Sequence, residues 1–182
     1  MRRLALLVLG LAAALVLMPS AAVADSATHT YMLEMEGPNF GTAANGDMAT
    51  ITGHVDFSVN PKSAEGDGTF THAASDGTVR GGGTWTANDL LDYQSYGCGI
   101  VHFPEGDVIL PPNFCGGKVK VDVTLTTHRG ELPATLTVIC IIGPNPPNSI
   151  DHGRGEGVML DIPGVINFNH TAGGDNIIIQ TS

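Results

Sequence analysis

The sequence is poor in aromatic and in basic residues. Aromatic side chains make up 5% of its 182 residues, and eight Lys and Arg residues are outnumbered by 18 Asp and Glu residues, which gives a net charge of −10. A chain this acidic is repelled by phosphate backbones and by anionic membrane surfaces. We therefore expect no nucleic-acid partner.

Short motifs for common catalytic and nucleotide-binding sites are also missing. No serine occupies a Gly-x-Ser-x-Gly elbow, and there is neither a phosphate-binding loop nor a dinucleotide-binding fingerprint. The sequence thus carries no signal for a catalytic nucleophile, and we predict no cofactor.

Only one long apolar run is present, and it lies at the N-terminus. Arg2 and Arg3 precede Leu4–Leu17, a run of about 14 residues, whereas a membrane span needs about 20. A second strongly apolar stretch, Thr135–Ile142, has the length of a buried strand. We therefore predict no transmembrane segment in the mature chain.

The N-terminal run ends in a pattern that a signal peptidase recognises. Small residues at Ala22-Val23-Ala24 place the cleavage between Ala24 and Asp25. We interpret residues 1–24 as a cleaved signal peptide and expect a secreted or periplasmic mature chain, residues 25–182. Removing two of the eight basic residues leaves six against 18 acidic residues, a net charge of −12.

Three cysteines allow three different single disulfides, and export makes a disulfide chemically possible. We favour a bond between Cys98 and Cys115, since both lie beside glycines that let the backbone reach the required geometry. Cys140 lies between isoleucines in an apolar stretch, which indicates a buried thiol that packs as a small hydrophobe.

Hydrophobic residues recur with a period of two, the pattern of half-buried β-strands. The alternation is clearest in Met48–Val59, in Lys118–Thr127 and in residues 29–36. Weaker strands are predicted at Thr69–Ala74, Val79–Ala87, Gly99–Phe103, Thr135–Ile142, Gly157–Ile162, Val165–His170 and Asn176–Thr181. Asp76-Gly77 predicts a hairpin turn between two of them.

These patterns predict a single all-β domain over residues 25–182. We expect an antiparallel β-barrel or β-sandwich of about 8–10 short strands, since the period alone does not separate the two. One short helical turn is predicted near residues 88–93, with Asn88 as its N-terminal cap.

Five short segments have a distinctive composition: Gly-Thr-Trp-Thr at 83–86, Leu-Leu at 90–91, Gln-Ser-Tyr-Gly-Cys-Gly at 94–99, Pro-Pro-Asn-Phe-Cys-Gly-Gly at 111–117 and Ile-Asn-Phe-Asn at 166–169. Across much of residues 45–170 the chain resembles an uncharacterised group of small exported bacterial β-rich proteins. The resemblance implies no activity and transfers no functional residues.

Two groups of polar residues are candidate sites. His54 and Asp56 lie on one strand face and can begin a metal site, although zinc needs three or four ligands and a solvent-facing strand surface is the simpler interpretation.

Asp151, His152, Arg154 and Glu156 form the densest ionisable cluster, suited to acid–base chemistry or anion binding. A solvated loop is the simpler interpretation there.

The function favoured by the sequence is non-catalytic. We expect a binding or structural role for a secreted β domain, with a small molecule or a protein as partner and an apolar interior that can hold a small hydrophobic ligand. The alternative is a secreted enzyme, a hydrolase or a lyase, that uses the 151–156 loop or the His54/Asp56 face.

Overall fold

The computed structural model of the protein describes residues 28–147 and 155–182. Within these ranges the chain forms thirteen β-strands and no helix, which confirms the all-β prediction. The strands are β1 (Thr30–Met35), β2 (Asn39–Thr42), β3 (Met48–Val59), β4 (Lys62–Ala73), β5 (Val79–Cys98), β6 (Ile100–Phe103), β7 (Gly106–Ile109), β8 (Phe114–Thr127), β9 (Gly130–Cys140), β10 (Gly157–Ile162), β11 (Ile166–Phe168), β12 (His170–Gly173) and β13 (Asn176–Gln180).

Thirteen strands exceed the expected 8–10 because several of them are only three or four residues long. The predicted signal peptide and its cleavage site at Ala24 and Asp25 lie outside the described residues. Among the residues that are described, no helix is long and apolar enough to cross a membrane.

Antiparallel pairing joins six strands in a closed circuit. Strand β1 pairs with β3, β3 with β4, β4 with β5, β5 with β8, β8 with β13, and β13 returns to β1. Strands β9, β10 and β11 continue from β8, while β2 and β12 continue from β3. Strands β6 and β7 form a separate two-stranded hairpin.

The core lies on the inner face of this sheet and follows from the period of two. In β8, Val119, Val121, Val123 and Leu125 are almost completely buried, whereas the residues between them face outward. Alternate residues of a strand point to opposite faces, so one apolar row covers the core and the polar row meets solvent.

Trp85 is the largest side chain in the core, and two glycines make room for it. Gly53 pairs with Gly68, and Gly68 pairs with Trp85 on the next strand. The indole lies over both glycines: a Cβ atom on Gly68 would lie 2.6 Å from Trp85 Nε1. Trp85 Nε1 also donates a hydrogen bond to the carbonyl of Thr52 (3.0 Å), so the buried indole is satisfied.

The predicted helical turn at residues 88–93 is wrong, because this segment belongs to the 20-residue strand β5. Register shifts leave Asn88, Leu91 and Tyr96 as extra residues opposite β8. Each extra residue moves the next core-facing side chain one position further along the strand. Core-facing side chains therefore recur every third residue after Ala87, which imitates the spacing of a helix.

The turn predicted at Asp76-Gly77 is confirmed as the connection between β4 and β5. The Gly77 N–H donates to the Ala74 carbonyl (2.8 Å), and Gly77 has a φ of 86°, which favours glycine.

The predicted disulfide between Cys98 and Cys115 is confirmed, and it joins paired residues of β5 and β8. Cys140 is a buried free thiol, also as predicted.

Replacing both Cys98 and Cys115 with Ala is expected to lower the free energy of unfolding by about 3 kcal/mol, because the bond restricts a loop in the unfolded chain. The two cysteines are 17 residues apart in the sequence. Urea unfolding without reductant measures the loss. Reductant should destabilise the wild type but leave the double variant unchanged; an equal response of both proteins would contradict the prediction.

Candidate functional site

A cleft of about 940 Å³ opens where the β6–β7 hairpin faces the ends of strands from the main sheet. It lies at the end of β9 and the beginning of β10 and β13. The lining residues are Glu36, Val101, Phe103, Leu110, Ile141, Ile142, Gly155, Glu156, Thr171, Ala172, Gly173, Gly174, Asp175 and Asn176.

One wall of the cleft is apolar. Val101 and Phe103 alternate along β6 and so share one face of the hairpin, while Ile141 and Ile142 follow directly after β9. Phe103 is 39% exposed, which is high for a phenylalanine and leaves its ring available for contact.

The other face of the hairpin carries Ile100 and Ile109 beside a polar pair that stabilises the hairpin. His102 and Asp107 are paired across the two strands, and His102 Nδ1 lies 2.6 Å from Asp107 Oδ1. This contact holds β6 and β7 together, and Val101 and Phe103 remain on the face that lines the cleft.

Three carboxylates line the cleft with the apolar wall: Glu36, Glu156 and Asp175. The Glu36 N–H donates to the carbonyl of Asp175 (3.0 Å), which holds the ends of β1 and β13 together. The Asn176 N–H donates to Glu156 Oε1 (3.0 Å), so the same turn also fixes Glu156.

Burial raises the pKa of Glu156 to about 7, and the negative charges of Asp175 and Glu36 act in the same direction. Hydrogen bonds from the backbone at Asn176 and Ile141 oppose this shift but do not cancel it. Near neutral pH the cleft therefore changes its charge with small changes in proton concentration.

Buried amides support the turn that carries Asp175. Asn176 Nδ2 donates to Asn39 Oδ1 (2.8 Å) and to the carbonyl of Ile139 (3.0 Å). Gly174 has a φ of 150° and lies directly against Asn39, where a Cβ atom would collide with the amide. Glycine is thus required there for the turn to reach the cleft.

The 151–156 cluster is represented in the structure by Glu156 alone, which lines the cleft. Asp151, His152 and Arg154 lie outside the described residues. Glu36 and Asp175 were not predicted as partners of Glu156. The signal that could have suggested them is their common position, each next to the end of a predicted strand.

His54 and Asp56 lie on the outward face of β3, away from the cleft. His54 is paired with Glu34 on one side and with Asp67 on the other, and Asp56 is paired with Glu65. In the part of the chain that the structure describes, no group of three or more His, Cys, Asp or Glu side chains has the arrangement of a metal site. The candidate metal site at His54 and Asp56 thus gains no third ligand from the residues that the structure describes.

Comparisons with protein-family models, with curated proteins and with solved structures find no match for this chain. The function is therefore inferred from the lining of the cleft and from the burial of its charged groups.

Proposed function

We propose that this protein is an exported binding domain whose cleft takes a small organic cation with an apolar body. The observation that carries the proposal is the joint lining of the cleft by three carboxylates and an apolar wall. No Lys, Arg or His is among the described lining residues, so those carboxylates have no basic partner within the lining. A ligand ammonium or guanidinium group supplies the missing positive charge.

The cleft is a better place for the ligand than the interior of the sheet. Trp85, Leu90 and Phe168 are at most 2% exposed and belong to one continuous core cluster that fills the inner face. A ligand in the interior would have to displace these side chains, whereas the cleft is already open.

We propose a barrel rather than a sandwich for the architecture. The closed circuit of six strand pairings supports this choice, because the two sheets of a sandwich have free edges. An exported location is supported by the N-terminal signal pattern and by the disulfide, since such bonds persist in oxidising compartments.

A secreted hydrolase or lyase is the second candidate. It is favoured by one observation: the pKa of Glu156 is raised to about 7, a value suited to a general acid or base. The carboxylates beside it, Glu36 and Asp175, have the same charge when ionised, so they hold a cation more readily than they divide acid and base roles.

Hexylamine is a suitable probe for the cleft, with hexanol and hexanoate as neutral and anionic controls of the same length. At pH 8 we expect hexylamine to bind at least about tenfold more tightly than hexanol in isothermal titration calorimetry, since a partly desolvated ion pair is worth about 1.4 kcal/mol. Hexanoate should not bind. Equal affinity for hexylamine and hexanol would disprove the proposal.

Two substitutions locate the binding within the cleft. Asp175→Asn removes a charge and Phe103→Ala removes apolar contact, and each should weaken hexylamine binding by about three- to tenfold. Asp161→Asn is the matched control, because it removes a carboxylate from an exposed position on β10 that does not line the cleft. A similar loss in Asp161→Asn would indicate a general charge effect instead.

A further inference from the structure

A second pocket, of about 240 Å³, lies at the opposite end of β8 and β9 from the cleft. One side is the beginning of β5, and the other is the turn that connects β8 to β9. The lining residues on which the argument depends are Arg80, Gly81, Gly82, Arg129, Gly130 and Glu131.

The charge of this pocket is opposite to that of the protein as a whole. Five Lys and Arg residues are present in the described ranges, and two of them, Arg80 and Arg129, line this pocket. Glu131 is the single carboxylate among the described lining residues. A local positive charge on an acidic chain attracts a small anion.

The two guanidinium groups retain hydrogen-bond donors for a ligand. Arg129 Nε donates to His128 Nε2 (3.3 Å), and this orients the guanidinium without using its terminal N–H groups. Arg80 Nε forms an ion pair with Asp47 Oδ2 at 3.7 Å, a distance too long for a hydrogen bond, so its N–H donors remain available although its charge is partly balanced. His72 Nε2 is closer to that oxygen, at 2.8 Å.

The backbone of β5 has an unpaired edge at the same place. Gly81 and Gly82 pair with β4 on one edge, but the pairing of β5 with β8 begins only at Gly83. In the described structure the other edge of β5 therefore has no partner strand at these two residues. Neighbouring residues of a strand direct their N–H groups to opposite edges, so one of the two N–H groups faces this unpaired edge. A Cβ atom at Gly81 would meet nothing within 4 Å, so a ligand can approach this backbone closely.

We propose that this pocket binds a small oxyanion, the phosphate or carboxylate group of a ligand. The guanidinium group of Arg129 forms paired hydrogen bonds with two oxygens of such a group, and Arg80 adds a second positive charge. The site is separate from the cation cleft and does not depend on the function proposed for it.

The test is a titration of the ¹⁵N-labelled protein with inorganic phosphate, and separately with acetate, at constant ionic strength and pH 8. We expect saturable shifts of the amide signals of Gly81, Gly82 and Gly130 with at least one of the two anions. The stronger response distinguishes phosphate from carboxylate recognition. Shifts that do not saturate, or that sodium chloride reproduces, would overturn the proposal.

Three variants make the test specific. Arg129→Gln should weaken binding at least about fivefold, and Glu131→Gln should tighten it, because the change removes the opposing carboxylate. Lys120→Gln removes one positive charge from an exposed position on β8 and should leave the affinity unchanged. The amide spectrum of each variant shows whether it is folded. Wild-type affinity in a folded Arg129→Gln protein would disprove the site.

Discussion

Glu156→Gln is expected to stabilise the protein by about 3 to 4 kcal/mol above pH 7, since each tenfold change in proton affinity is worth about 1.4 kcal/mol. The folded protein holds the Glu156 proton up to a pKa of about 7, whereas the ordinary value is 4.5. Glutamine is neutral at every pH and keeps the oxygen that accepts the hydrogen bond from Asn176.

The same argument fixes the pH window. Between about pH 4.5 and 7 the folded state binds a proton that the unfolded state has released, so the stability of the wild type falls as the pH rises. Above pH 7 both states are ionised and the contribution is constant. We expect urea unfolding at pH 5, 6, 7 and 8 to show this decline in the wild type and its loss in Glu156→Gln.

Asp161→Asn serves as the control, because it removes an exposed carboxylate from β10. Its stability should follow the wild-type pH dependence. If the free energy of unfolding of the wild type and of Glu156→Gln changed with pH in the same way, Glu156 would not be held in its protonated form. The proposed cation affinity should rise through the same pH range in the wild type and remain constant in Glu156→Gln.

Gly68→Ala is expected to lower the free energy of unfolding by about 3 kcal/mol, the upper range for overpacking a core. The new methyl group would lie 2.6 Å from Trp85 Nε1 and would also meet the backbone of β3. Neither neighbour is the end of a flexible side chain, so the indole or the strand must move. Urea unfolding followed by the fluorescence of Trp85, the single tryptophan, measures the loss.

Gly81→Ala is the matched control for this substitution. It adds the same methyl group to β5 where nothing lies within 4 Å, and we expect the free energy of unfolding to change by less than about 1 kcal/mol. Similar effects of Gly68→Ala and Gly81→Ala would show that Trp85 is not packed on Gly68.

The alternation of apolar residues predicted the strands that have one buried face and no interruption. Met48–Val59 has the predicted bounds in the structure. Strand β4 begins seven residues before its prediction, because Gly66 and Gly68 occupy inward positions where the pattern requires an apolar side chain. The bulges of β5 changed the spacing of its core-facing residues to one in three, which is close to the spacing in a helix. No local signal in the sequence distinguishes such a bulged strand from a helix.

The candidate site was predictable only in part. Glu156 was identified from its ionisable neighbours in the sequence, although its position in a partly apolar cleft was not. Glu36, Phe103 and Asp175 are distant from it in the sequence, and they meet through the pairing of β1 with β13 and the placement of the β6–β7 hairpin. Such contacts depend on register and topology, which a single sequence does not specify.

The closed circuit of strands also determines how the protein reaches its native state. The hydroxyls of Thr30 and Thr181 lie 2.7 Å apart, yet the two residues are separated by 151 positions in the sequence. Hairpins such as β3–β4 form quickly from neighbouring segments, whereas the meeting of β1 with β13 requires the closure of a very long loop. We therefore expect slow folding, and protease sensitivity and aggregation should be greatest while β1 and β13 are still unpaired.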